Sequence, residues 1–124
     1  MTAKGRTVGK IVNFHLPADD VERAAKFYGE VFGWEFTPFA DSPVPYLVLD
    51  GGENGAGIPA AITARQSVVK APTPTIEVDH IDQAMLDIAL KGGQQGQVQD
   101  IPGLGRFGYA IDSEGNIIAL LQRA

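Results

Sequence analysis

The chain of 124 residues contains no cysteine, one tryptophan and two histidines. Without cysteine there can be no disulfide, no thiolate metal ligand and no cysteine nucleophile. That composition suits a reducing compartment. Long apolar runs are also missing: none approaches the ~20 residues that cross a bilayer. The opening MTAKGRTVGK lacks the apolar stretch of a secretory signal. A cytoplasmic location and no membrane partner are therefore expected. Positive charge is scarce, since 10 Lys and Arg against 15 Asp and Glu leave a net charge of −5. An acidic chain without a basic stripe offers little to a phosphate backbone, so no nucleic-acid partner is expected. Lys4, Arg6 and Lys10 read as charges of a solvated terminus, with residues 1–8 as a tail.

What is present is the composition of one ordinary domain. Hydrophobic residues make up 44% and charged residues 20%, enough for a modest single core. The stretch IVNFHLPADDVERAAKFYGEVFGWEFTPF organises the rest. Val12, Phe14 and Leu16 alternate with Asn13 and His15, the pattern of a half-buried strand. Asp19 and Glu22 have the spacing of a capping box. Val21, Ala24, Ala25, Tyr28, Val31 and Phe32 follow at helical spacing, and Gly33 ends the helix. Trp34, read as a core residue, starts a second strand with Phe36 and Phe39.

The remaining elements follow from punctuation. Asp41, Ser42, Pro43 and Pro45 mark a turn, and residues 46–49 a short strand. Residues 50–55 read as a hairpin loop and 57–62 as a further strand. A connector over 63–72 leads to a repeat of the opening pattern. In that repeat Ile76 and Val78 face one way, and Thr73, Thr75 and Glu77 the other. Asp79 is the expected cap of a helix through Ile81, Ala84, Met85 and Ile88, ended by Gly92 and Gly93. Strands are expected over 97–101, 106–111 and 116–122, the last two joined by the turn Asp112-Ser113-Glu114-Gly115. The last strand is apolar enough to be buried on both faces. The order is βαβββ twice, with the halves matching at an offset of about sixty positions, the mark of a duplicated unit.

The segments PADDVERAAKFYGEVFGWEF and IDSEGNIIALL resemble signature stretches of the vicinal oxygen chelate superfamily. That superfamily holds glyoxalases, extradiol dioxygenases, bleomycin- and fosfomycin-resistance proteins and methylmalonyl-CoA epimerase. The resemblance extends over about residues 10–122. It implies an α+β fold of two βαβββ modules, about 9–62 and 73–123 of a single 1–124 domain. Their curved mixed sheets would wrap a cleft, paired in a homodimer through apolar sheet faces. The metal-binding members place a His in the first strand, at the position of Asn13 here, and its second-module counterpart falls on Thr73. Their last Glu ligand falls on Ala119, and no carboxylate stands near Leu47–Leu49. A divalent ion needs several converging nitrogen or oxygen donors, so no metal or other cofactor is expected.

The candidate site is then polar rather than metallic. His15 shares the face of Asn13 and can serve as a base, as a hydrogen-bond partner or simply as a brace for a neighbouring strand. Glu77 is a candidate to orient His15, or an ordinary strand-end carboxylate. Thr73, Thr75, Tyr46 and Tyr109 are candidate ligand contacts. Arg106 is a candidate to grip an anion with its fork, or a rim charge. His80 is read as solvated. The residues with glycine at 51, 52, 55 and 57 lack the lysine and helix of a phosphate loop. The expected function is binding of a small organic molecule, or a metal-independent lyase or isomerase step at His15. One alternative is a metal-dependent glyoxalase- or dioxygenase-like enzyme with relocated ligands such as His15 and Glu77. Another is a non-catalytic structural or regulatory homodimer.

Overall fold

The computed structural model describes residues 8–39, 46–52, 57–65 and 69–124. The tail with Lys4 and Arg6, the turn at Asp41–Pro45, the centre of the 50–55 loop and part of the connector lie outside the described residues. The chain forms two compact units, Val12–Thr73 and Pro74–Ala124 with Met1–Ile11.

The first unit contains β1 (Gly9–Ala18), α1 (Val21–Phe32), β2 (Phe36–Pro38), β3 (Tyr46–Leu49) and β4 (Ala60–Ala64). Here β1 runs parallel to β4, while β4 pairs antiparallel with β3 and β3 with β2. The second unit contains β5 (Thr73–Val78), α2 (Ile81–Leu90), β6 (Val98–Ile101), β7 (Gly105–Ile111) and β8 (Ile117–Arg123). Its pairing repeats the first: β5 parallel to β8, β8 antiparallel to β7, β7 antiparallel to β6. The α+β class and the duplicated βαβββ order are as the sequence predicts.

Each helix covers one face of its own sheet. Under α1 lie Ala18, Val21, Leu47 and Ile62, with Leu16, Ala24, Ala25, Tyr28 and Phe36 packed around them. Ile62 is wholly buried, and such a side chain contributes about 1.5–3 kcal/mol of burial free energy. Under α2 lie Val78, Ile81, Ala84, Met85, Ala110 and Leu120. The positions that matched in the sequence, Val21 with Ile81 and Ala24 with Ala84, hold equivalent places in the two cores.

The helix starts differ from expectation. Asp20 rather than Asp19 caps α1, its Oδ1 accepting from the Arg23 N–H at 3.0 Å. Asp19 instead meets Arg65 at 2.9 Å. Asp79 does not cap α2; the cap position is His80, which makes no side-chain cap bond. The Ile81 N–H donates to Gln122 Oε1 of β8 at 2.8 Å. Gly33 takes the left-handed conformation that closes α1, with φ of 75°. Trp34 is neither in a strand nor in the core. It stacks on Tyr28 and Phe32, with centroids 5.2 Å away in each case. Of β8, only Ala119, Leu120 and Leu121 are buried. The turn before it is held by Asp112, which accepts from the Glu114 and Asn116 N–H groups and from the Asn116 side chain. No helix among the described residues is long and apolar enough to cross a membrane.

Candidate functional site

Pleating puts the even and odd residues of β1 on opposite faces. In the first unit Leu16 and Ala18 join Leu47 and Ile62 beneath α1. Asn13 and His15 therefore share the face turned away from the helix. The strand register adds their neighbours. His15 lies beside Ala61, and Ala61 beside Val48; Tyr46 lies beside Thr63 on the same face. Two strand spacings, ~10 Å, separate β1 from β3. Ala61, wholly buried on the strand between them, is short enough for the imidazole and the phenol to meet above it. They do so through His15 Nε2 and Tyr46 Oη, 2.9 Å apart. The rings meet edge-on, and Phe39 packs edge-on against the far side of Tyr46 at 5.8 Å.

This pair sits in a dry setting. His15 is 5% exposed and Thr63 4%. Burial disfavours the imidazolium and lowers the His15 pKa from 6.5 to about 4. At neutral pH the ring is therefore uncharged, with one nitrogen donating and the other accepting. The Asn13 side-chain oxygen is buried with no hydrogen-bond partner, which leaves an acceptor on the same face. Thr73 is 2% exposed, and its hydroxyl donates to the Ala71 carbonyl at 2.9 Å, so that donor is used within the chain turn.

The second unit presents a different polar face. Thr75 lies beside Ala119, and Ala119 beside Tyr109. The Thr75 hydroxyl is buried without a partner. Burial raises the Tyr109 pKa above the ordinary phenol value, and Phe107 packs edge-on against its ring at 5.1 Å. Glu77 belongs to this unit, and Arg123 donates to it at 2.7 Å. Neither side chain of that pair is buried, so it is worth little as stability but occupies the carboxylate.

Arg106 does not stand on the face of Thr75 and Tyr109. It shares the face of Gly108 and Ala110, beneath α2, and its fork closes on Asp82 at 2.8 and 3.2 Å. Its Nε lies 3.3 Å from Asp100. The guanidinium holds the Asp82 carboxyl below its usual range. Of the two readings of Arg106, anion grip or rim charge, the fork is engaged here by the chain's own aspartates. His80 is exposed, as read from the sequence. Thr63, Phe39 and Arg123 were not singled out in the sequence. Thr63 shares the register row of Tyr46, but the run Gly57–Ile62 hides it, because β4 begins and ends later than its glycines suggest.

Among the described residues no three His, Cys, Asp or Glu side chains stand close enough to hold one ion. Asn13 and Thr73 offer only neutral oxygens, and Ala119 offers no donor. The donor set does not fit a divalent metal held by His and Glu. The described groove, about 380 Å³, lies on the other side of the first sheet, between Glu22, Lys26, Trp34, Phe36 and Pro38.

Fold and duplicated topology define a class of protein: α+β chains built of two βαβββ modules. Comparison with known proteins makes the class specific. The bleomycin resistance protein-like N-terminal family matches residues 10–52. A glyoxylase-like domain-containing protein of Didymella fabae is 30% identical over 123 residues, covering 93% of this chain and 94% of the relative. Among solved structures, a hypothetical protein of Bacillus halodurans aligns with a TM-score of 0.69 at 10% identity, over 94% of this chain and 95% of that one. Methylmalonyl-CoA epimerase of Mycobacterium tuberculosis aligns at 0.61 and 17%, over 100% and 93%. The Streptomyces coelicolor epimerase, crystallised with 2-nitronate-propionyl-CoA, aligns at 0.59 and 19%, over 92% and 96%. The chain belongs to the vicinal oxygen chelate superfamily, on its glyoxalase and bleomycin-resistance side.

Proposed function

We propose that the polar face of the first sheet binds a small organic molecule through uncharged hydrogen-bonding groups, without a conventional metal site. The observation that carries this reading is the buried His15–Tyr46 pair. An imidazole with a pKa of about 4 stays uncharged at neutral pH and is a weak base. It is well suited to accept or donate one directed hydrogen bond. The phenol of Tyr46 holds its orientation, and Asn13 adds an unsatisfied acceptor on the same strand. Such a face selects a ligand by the geometry of its donors and acceptors. A lyase or isomerase step at His15 would demand a substrate proton already acidic enough for so weak a base. Binding therefore stands ahead of turnover.

The fold's usual ion would supply Lewis-acid activation of a bound oxygen, and the donors present do not fit it. No step here depends on one. The test combines thermal-shift screening with elemental analysis. The panel begins with acyl-CoA thioesters, because a structural neighbour carries one, and includes uncharged phenols and amides. A ligand of the folded state raises the melting temperature. Its affinity should fall at least about tenfold in His15→Gln and in Tyr46→Phe, the cost of one buried hydrogen bond. A ligand indifferent to both substitutions places the site elsewhere. Stoichiometric nickel, manganese, iron or zinc retained after dialysis overturns the metal-free reading.

A further inference from the structure

We infer that the ligand of the first sheet's polar face is a flat aromatic taken up in its neutral form, a phenol, and that the ionised form of the same molecule is rejected. The inference rests on the reading that this face binds a ligand. Its ground is where the first unit keeps its charge. From Val12 onward β1 holds no Asp, Glu, Lys or Arg, and neither do β2, β3 and β4. Lys10, further back on β1, has the parity of Leu16 and not of His15. The strands of the second unit carry Glu77, Asp100, Arg106 and Arg123. The two modules share a topology, but only the first builds its sheet without formal charge.

Charges at the margin do not make up for this. Glu22, Arg23, Lys26 and Glu30 ride on α1, across the sheet from His15. Arg65 lies two residues beyond Thr63 and so has its parity. It is held by Asp19 at 2.9 Å and by the Lys70 carbonyl at 2.7 Å. Lys70 itself is exposed in the connector. Glu35 and Asp50, one residue outside β2 and β3, have the parity of this face and are exposed acids. An anion therefore meets acids at the margin and no cation within. An ion stripped of water and left unpaired is costly, and usually gives up its charge instead. His15 has done so: burial moves its pKa from 6.5 to about 4. At tenfold per pH unit, the face disfavours that charge by roughly 300-fold.

What the face offers is an acceptor and a pair of rings. The buried Asn13 Oδ1 has no hydrogen-bond partner, and an O–H or N–H donor would satisfy it. Phe39 and Tyr46 meet edge-on at 5.8 Å, and Phe39 is exposed. A further ring packs edge-to-face or offset on such a pair. A phenol supplies both, its ring for Phe39 and Tyr46 and its O–H for Asn13. The phenolate has lost the donor and gained the charge, so both penalties fall on the same form.

The probes are phenol and 4-nitrophenol, with affinities measured by equilibrium dialysis from about pH 6 to about pH 9. 4-Nitrophenol ionises within this range, whereas phenol, like the tyrosine side chain, does so near about 10. The affinity of 4-nitrophenol should fall about tenfold per pH unit above its own pKa, and that of phenol should stay level within about threefold. At saturating protein, the nitrophenolate absorption band should show the bound pKa raised by at least about one unit. Asn13→Leu should weaken both probes at least about tenfold, the loss of one buried hydrogen bond. It should leave the urea midpoint unchanged or higher, because it removes an unpaired polar atom; a purely structural role for Asn13 would lower that midpoint. 4-Nitrophenol binding that persists through its ionisation overturns the inference. So does a parallel decline of phenol, which places the titrating group in the protein, or binding indifferent to Asn13→Leu. If an acyl-CoA thioester binds with sensitivity to His15→Gln and Tyr46→Phe while neither phenol binds, this inference fails and the proposed function stands. If no ligand responds to those two substitutions, both fail.

Discussion

Acidification from pH 7 to pH 4 should remove stability through His15, and His15→Gln should remove that loss. In the unfolded chain the imidazole binds a proton as pH falls through about 6.5. In the folded chain burial keeps it neutral down to about 4. Between those values the unfolded state holds more protons than the folded one, so stability rises with pH. The contribution is full above the unfolded pKa, is lost as pH falls through the window, and stops falling below about 4. At 1.36 kcal/mol per pH unit the loss reaches about 2 kcal/mol at pH 5 and about 3 kcal/mol at pH 4. For a domain of marginal stability that is a large fraction. The carboxylates whose pKa values are lowered, Asp82 and Asp112, act in a lower window. Their contribution is present above the usual carboxylate value and is lost only as pH falls below it. The measurement is urea denaturation of the wild type and His15→Gln at several pH values from 7 to 4.5. Gln retains a hydrogen-bonding group for Tyr46 and cannot ionise in this range. The wild-type curve should fall more steeply by the stated amounts. The imidazole resonance should independently titrate near 4, and with two histidines in the chain a His80→Gln variant assigns it. Parallel curves for the two proteins, or a folded-state titration near 6.5, would refute the reasoning.

Tyr46→Phe deletes the phenol that meets His15 Nε2 in a buried setting. Stability should drop by about 1–3 kcal/mol in urea, with the slope of the transition unchanged; an unaltered midpoint would show that the bond contributes nothing. Asp112→Ala removes the acceptor of three hydrogen bonds in the turn before β8. It should lower the melting temperature, with Asp112→Asn falling between the two, and identical melting of all three proteins would contradict that role.

The repeated βαβββ order was legible because each strand and helix writes its period into the sequence. The helix-facing set Leu16, Val21, Ala24 and its counterpart Ile76, Ile81, Ala84 show this. Cap assignment failed where two acids adjoin. Asp19 and Asp20 are alike in sequence, and only the extended backbone of Asp20 lets its carboxylate reach the first turn. Arg106 left two readings open, an anion grip or a rim charge, for a subtler reason. In RFGYAI the larger side chains, Phe107, Tyr109 and Ile111, suggest the core. The face beneath α2 carries Gly108 and Ala110 instead, and a Cβ at 108 would lie 2.5 Å from the Gln97 carbonyl oxygen and 3.0 Å from the Met85 methyl. Small residues there mark the packed side. The placement of His15 and Asn13 away from α1 follows from alternation alone. Its partner Tyr46 does not, because the pairing depends on a short residue, Ala61, in the strand between them.

The two helices begin under different authority. Asp20 lies next to α1 in sequence, so that helix can close its first turn as soon as its own residues are ordered. The first amide of α2, at Ile81, is instead satisfied by Gln122, 41 residues further along the chain. In native-state hydrogen exchange the Ile81 amide should therefore report the opening of β8, not local fraying of α2. The duplicated halves share a fold but not a device for starting the helix: the first supplies its cap from the residue next door, and the second borrows it from its own last strand.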